Sequence, residues 1–150
     1  MLIDMFVNDF EIIGCALLAA VLGGVIGWER EKHHTIVASA GIRTYSAIAL
    51  GACVFGSIGY SLPGNNAYIA AQVVTGIGFL GGGIIFREGD YTFGLTTAAT
   101  LWATAAVGLA IAFKFYLVGM FVAFIIYLLL YLSRLPWWKR VSAKSKKHLP

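Results

Sequence analysis

Leu22-Gly23-Gly24-Val25-Ile26-Gly27-Trp28-Glu29-Arg30-Glu31 returns 58 residues later as Leu80-Gly81-Gly82-Gly83-Ile84-Ile85-Phe86-Arg87-Glu88-Gly89. After a short polar stretch in each case, Gly41-Ile42-Arg43-Thr44 returns as Gly94-Leu95-Thr96-Thr97, now offset by 53 residues, so the second copy has the shorter loop. Each copy is an apolar, glycine-rich run that ends in an Arg/Glu cluster and is followed by a Gly-apolar-x-Thr start to the next apolar run. In a chain this hydrophobic, the pattern reads as two related transmembrane helix hairpins whose charged turns lie on one side of a membrane.

Composition supports that class. Hydrophobic residues make up 59% of the 150 and charged ones 12%, against roughly 45–50% and 25% in soluble domains. The charges are also segregated. Residues 12–28, 44–62, 67–86, 91–113 and 115–133 hold no Asp, Glu, Lys or Arg, and each is about long enough to cross a hydrocarbon core of roughly 30 Å. Pro63-Gly64-Asn65-Asn66 is a turn signature that divides what would otherwise be one uncharged run from 44 to 86. The sequence therefore predicts an all-α integral membrane protein with five spans, at about 10–28, 44–62, 67–86, 94–113 and 115–133. Together these form a transmembrane domain over 1–133, followed by a basic tail over 134–150.

The basic residues set the orientation. With the turn after the first span placed in the cytoplasm, ten of the 11 Lys and Arg residues are cytoplasmic and only Lys114 is outside, a strong positive-inside bias. The N-terminus, with Asp4, Asp9 and Glu11, is then outside and the C-terminus inside. A cleaved signal peptide would carry positive charge before its apolar stretch, so the first span reads as mature protein. The net charge of +4 is a topology signal and an attraction to anionic lipid headgroups. Nucleic acid is not an expected partner, because the basic tail has no reading module beside it. Trp137-Trp138 reads as an interfacial anchor. Cys15 and Cys53 fall inside spans with no metal or redox spacing and read as small packing residues.

Seventeen of the 18 glycines precede residue 115, and small residues recur at four-residue spacing: Gly23 and Gly27, Ala52 and Gly56, Gly78 and Gly82, Thr104 and Gly108. Such faces let helix backbones approach closely in lipid. The first four helices are expected to form a tight core of two parallel-repeated hairpins, with Gly23, Gly27, Gly78 and Gly82 at helix contacts. The bulky fifth span is expected to be peripheral or a contact to another subunit.

Glu29, Arg30, Arg43, Thr44, Arg87 and Glu88 map to the cytoplasmic helix ends. Helix C-termini favour Arg30 and Arg87, and the free N–H groups near Gly41 and Gly94 favour an acidic or phosphate partner. Three readings stay open. The cluster could satisfy itself as caps, or the arginines could bind a phosphate or lipid headgroup. Alternatively Glu29, Glu88, Gln72, Thr44, Thr96 and Thr97 could line a cation path, although each acidic residue sits beside an arginine and no carboxylate pair lies deep in a span. Gln72, well inside the third span, reads as an amide that glues helices together. Thr96, Thr97 and Thr100 open the fourth span, and threonines there often bond back to their own backbone. His33 and His34 are a weak metal signal without further ligands. No metal or cofactor is expected. Gly76 to Gly83 is no dinucleotide fingerprint, because no strand precedes it, and no hydrolytic or redox centre is visible.

Four stretches, LGGVIGWERE (22–31), AGIRT (40–44), IAAQVVTGIGFLGGGIIFREG (69–89) and GLTTAATLW (94–102), make the chain resemble the membrane domain of the MgtC/SapB family. The resemblance implies a multi-pass bacterial inner-membrane protein tied to growth under magnesium limitation and, in some pathogens, to survival inside host cells. The family was named for magnesium transport, but its members resemble regulators that act on other membrane proteins. Many members carry a soluble cytoplasmic domain after the last span, whereas a basic tail follows here. The expectation is a non-catalytic module that binds another membrane protein and forms a homo-oligomer; a small Mg²⁺ or other ion transporter is the alternative.

Overall fold

The computed structural model describes residues 2–32, 40–62, 66–89, 91–132 and 135, with the side chains of residues 2–8 and of Asn66 outside the description. The turn at 63–65, the His33-His34 pair, Trp137-Trp138 and the basic tail lie outside the described residues. Five helices carry the fold: α1 (Leu2–Glu31), α2 (Ile42–Ser61), α3 (Asn66–Gly83), α4 (Leu95–Ala112) and α5 (Tyr116–Leu132). Three are long and apolar enough to cross a membrane, over Asp9–Glu31, Ile42–Ser61 and Leu95–Ala112, while Ala67–Gly83 and Tyr116–Leu132 are shorter apolar helices.

The third helix departs from the sequence expectation. It stops at Gly83, not at 86, and the chain then forms a two-stranded antiparallel hairpin of β1 (Phe86–Glu88) and β2 (Tyr91–Phe93). Arg87 and Glu88 therefore sit on a β-hairpin rather than on helix ends, and the fold is not purely helical. Two local causes are visible. Gly81-Gly82-Gly83 weakens the helix by up to about 1 kcal/mol per residue relative to Ala. Beyond it, β-prone aromatics flank Gly89, which starts the two-residue loop at φ 57, a backbone suited to a tight hairpin turn.

Packing joins α1 to α2, α2 to α4, and α3 to both α2 and α4, while α5 lies chiefly along α4 and α1. The core runs between these contacts: Ile26, Tyr45, Leu101, Val107, Ala123, Ile126 and Leu130 form one cluster, and Cys15, Ala19, Ala49, Cys53, Ile111 and Ala112 another. Small residues set the helix spacing. A Cβ on Gly23 would lie 2.5 Å from the Tyr45 carbonyl oxygen, and one on Gly27 would lie 2.7 Å from Ile42 Cα. Gly108 abuts the Ala49 carbonyl in the same way. Gly78 and Gly82 do not behave like this: both are exposed with nothing within 4 Å of an added Cβ, so among the described residues they meet no neighbouring helix. Gly81, the repeat counterpart of Gly23, faces the neighbouring helix instead: a Cβ added there would lie 3.5 Å from Ala98 Cβ.

The two ends of the bundle differ. At one lie Glu29, Arg30, Arg43 and the hairpin. At the other, Lys114 Nζ donates to Glu11 Oε1 at 2.7 Å and stands 5.7 Å from the Tyr60 ring centroid. Glu11 holds the Lys114 ammonium above the usual lysine range, chiefly through that hydrogen bond. Lys114 has φ 64, with Phe115 N donating to Ala110 O and Lys114 N to Ile111 O. That is a Schellman-type helix end, with lysine where glycine is usual.

Candidate functional site

At the Arg/Glu end, the last turn of α1 meets the first turns of α2 and α4. Glu31 reaches across the loop, and its Oε2 accepts from Ile42 N at 2.9 Å. The start of α2 thus receives a carboxylate, the charge its free N–H groups favour. Glu31 comes from the chain's own first helix and was not among the residues singled out in the sequence, although it closes the repeated Trp28-Glu29-Arg30-Glu31 stretch.

One residue earlier, Arg30 turns inward. Its Nη2 donates to Thr97 Oγ1 at 2.5 Å, which places Arg30 on α4 rather than over the terminal carbonyls of α1. Its Nε is buried without a hydrogen-bond partner among the described residues. Glu29, only 3% exposed, lies beside it in sequence and brings a carboxylate into the same buried end. Deeper in, the hydroxyls of Tyr45 and Thr100 lie 2.6 Å apart. Thr100 Oγ1 also donates within α4 to the Thr96 and Thr97 carbonyls at 2.9 and 3.0 Å, and Thr104 donates to the Thr100 carbonyl at 2.8 Å. A strip of polar groups therefore ties α1, α2 and α4 together through Arg30, Thr97, Thr100 and Tyr45.

Tyr45 is a second residue that sequence reasoning missed. It is fully buried, directly after Gly41-Ile42-Arg43-Thr44, and a tyrosine one turn inside an apolar run needs a partner for its hydroxyl. Thr97→Val should remove the acceptor from a half-buried guanidinium. The expected loss is about 1–3 kcal/mol of stability, read by thermal unfolding in detergent. Tyr45→Phe should cost less, on the order of 1 kcal/mol, because Thr100 keeps its backbone acceptors.

The remaining candidates point elsewhere. Arg43, Thr44 and Thr96 are exposed on the first turns of α2 and α4. Arg87 and Glu88 are exposed on the hairpin, and Arg87 Nε donates to the Gly89 carbonyl at 3.0 Å. Gln72 is not an amide buried between helices of this chain, because α3 turns it outward. It looks into a furrow of about 520 Å³ between α2 and α3, lined by Thr44, Ala47, Ile48, Gly51, Ala52, Phe55, Ile69, Val73, Gly76, Ile77 and Leu80. Beside the furrow, Ala71, Thr75, Gly78 and Gly82 form an outward stripe along α3, all exposed, with the Thr75 hydroxyl bonded back to the Ala71 carbonyl at 2.9 Å.

A sequence model of the MgtC family matches residues 16–136. Among known proteins, the chain is 49% identical to Protein MgtC of Brucella abortus over 96 residues, 63% of this chain and 39% of that protein. It is 48% identical to Protein MgtC of Salmonella typhimurium over 101 residues, 66% of this chain and 42% of that protein. The chain thus spans about two fifths of the length of these relatives. No solved structure matches it. The glycines that let α1 approach α2, the Arg30 that reaches α4 and the glycine starts of α2 and α4 all fall within the matched residues, and the chain belongs to the MgtC family.

Proposed function

We propose that this chain is a multi-pass bacterial inner-membrane protein linked to adaptation to low magnesium, acting without catalysis by binding another membrane protein through α3. Its N-terminus lies outside and its basic tail in the cytoplasm, and it assembles as a homo-oligomer. The observation that carries this reading is the outward surface of α3. A helix face of Ala71, Thr75, Gly78 and Gly82, with open space before both glycines, suits close approach by another helix in lipid. Gln72 strengthens the case. An exposed amide at that depth, without a partner from lipid, is unfavourable, and a helix seated in the furrow supplies one.

The test is a set of α3 substitutions. Gly78→Leu and Gly82→Leu fill empty space, so the protein should insert and purify as wild type while losing its partner and its effect on growth in low magnesium. Variants that keep both would remove α3 as the docking face.

Transport is the second reading, favoured by the buried Glu29 carboxylate at the Arg/Glu end of the bundle. Mg²⁺ flux into proteoliposomes separates the two. Saturable flux that Glu29→Gln reduces would replace regulation by transport. Absence of flux above empty vesicles from folded protein is the expected result.

A further inference from the structure

Residues 86–93 form the one described segment between helices that has regular structure of its own. The hairpin pairs Phe86 with Phe93, Arg87 with Thr92 and Glu88 with Tyr91. Side chains alternate across a strand, so Phe86, Phe93, Tyr91 and Glu88 share one face and Arg87 and Thr92 the other. The Phe86 and Phe93 rings stack with centroids 5.2 Å apart. Nevertheless Phe86 is 58% exposed, Phe93 43% and Tyr91 70%. An isolated hairpin this short is marginal in water, and three aromatic rings turned to water make it more so.

The neighbouring helices supply the reason for those rings. α3 has 18 residues, about 27 Å at 1.5 Å per residue, which falls short of a hydrocarbon core of roughly 30 Å, and it is one of the two shorter apolar helices. Ile85, Phe86 and Phe93, all exposed, continue the apolar surface of both helices past their ends. Polarity then rises toward the tip, from the Phe86–Phe93 rung through Arg87–Thr92 to Glu88. Aromatic rings favour the level where hydrocarbon meets headgroups.

We propose that the 86–93 hairpin is an interfacial membrane anchor. Its Phe86, Phe93 and Tyr91 face rests on the bilayer at the headgroup boundary, with Glu88 at the tip of that face among the polar headgroups, and Arg87 and Thr92 look to water. The hairpin completes the membrane crossing that α3 leaves short and holds the adjoining ends of α3 and α4 at a fixed depth. Its occupant is lipid, and the inference does not depend on what α3 binds.

Nitroxide labelling tests it. Phe86→Cys, Arg87→Cys, Tyr91→Cys, Thr92→Cys and Phe93→Cys are made one at a time in the full chain, with Cys15→Ala and Cys53→Ala as background. Each is reconstituted in vesicles of phosphatidylethanolamine and phosphatidylglycerol. Collision with oxygen, which concentrates in lipid, is compared with collision with a water-soluble nickel chelate. The expected result is alternation: oxygen dominates at 86, 91 and 93, and nickel at 87 and 92, with the ratio differing several-fold. Nickel dominating at all five positions would place the hairpin in water and overturn the proposal. Shielding of 86, 91 and 93 from both reagents would also overturn it, because a protein surface, a second copy or another chain, would then cover that face. Phe86→Cys and Phe93→Cys break the stacked pair. Should either fail to fold, Tyr91→Cys and Thr92→Cys carry the comparison by themselves.

Discussion

Gly27→Val should yield no monodisperse protein from detergent extracts, whereas Gly14→Ala and Gly51→Ala should purify like wild type. The difference lies in what a Cβ would meet. At Gly27 the nearest atoms are Ile42 Cα at 2.7 Å, the Gly41 carbonyl oxygen at 2.8 Å and Ile42 N at 2.9 Å, all backbone. A flexible side chain can swing aside, but these atoms move only if the start of α2 shifts as a body. That shift would pull Ile42 N from Glu31 Oε2 and Tyr45 from Thr100. Overpacking typically costs about 1–3 kcal/mol, and this backbone clash belongs at the top of that range or above it. Against a total stability of about 5–15 kcal/mol, one such change removes much of the margin. Gly14 and Gly51 have nothing within 4 Å of an added Cβ, and alanine there gains up to about 1 kcal/mol of helix propensity.

Gly94→Val should disconnect the hairpin from α4. Gly94 has φ 86 as the N-cap of α4, a left-handed conformation that costs an ordinary L-residue roughly 1–2 kcal/mol. A Cβ there would also press on the Ile84 carbonyl oxygen and lie 3.2 Å from Ile85 Cα, so strain and clash act together, on the order of 3 kcal/mol in all. Gly89→Ala is the control. Gly89 has φ 57 with open space around it, so only the conformational cost applies, about 1–2 kcal/mol. Comparing the unfolding midpoints of the two variants separates strain from clash. Equal losses would mean that the contact with Ile84 has no weight.

Much of this architecture was legible in the chain. The second and fourth helices begin at Gly41 and Gly94, the paired positions of the repeat, and both glycines are N-caps in the structure. The charge-free runs became helices because a long apolar segment in lipid must satisfy its own backbone. Hydropathy alone carries the third span to 86, whereas the helix ends at Gly83. Its charge-free run to 86 looked like more span, although aromatics around Gly89 also encode a hairpin. Of the candidate residues, Arg30 and Thr97 come together through a direct bond, whereas Arg43 and Thr44 point out from α2 and Arg87 and Glu88 lie on the hairpin.

The limit has a physical origin. A soluble helix marks its buried face with a stripe of apolar residues, but a helix that is apolar all round carries no such mark. Small residues then advertise close packing without saying against what. Four-residue spacing therefore named Gly23 and Gly27 as well as Gly78 and Gly82. Only the azimuth of each helix, fixed by which neighbours interlock, sealed the first pair against α2 and turned the second outward. Membrane class, helix count and glycine helix starts are properties of local composition, and the sequence by itself determined them. The partners of Arg30 and Tyr45, the outward stripe of α3 and the furrow at Gln72 depend on helix rotation, and only the tertiary structure decided them.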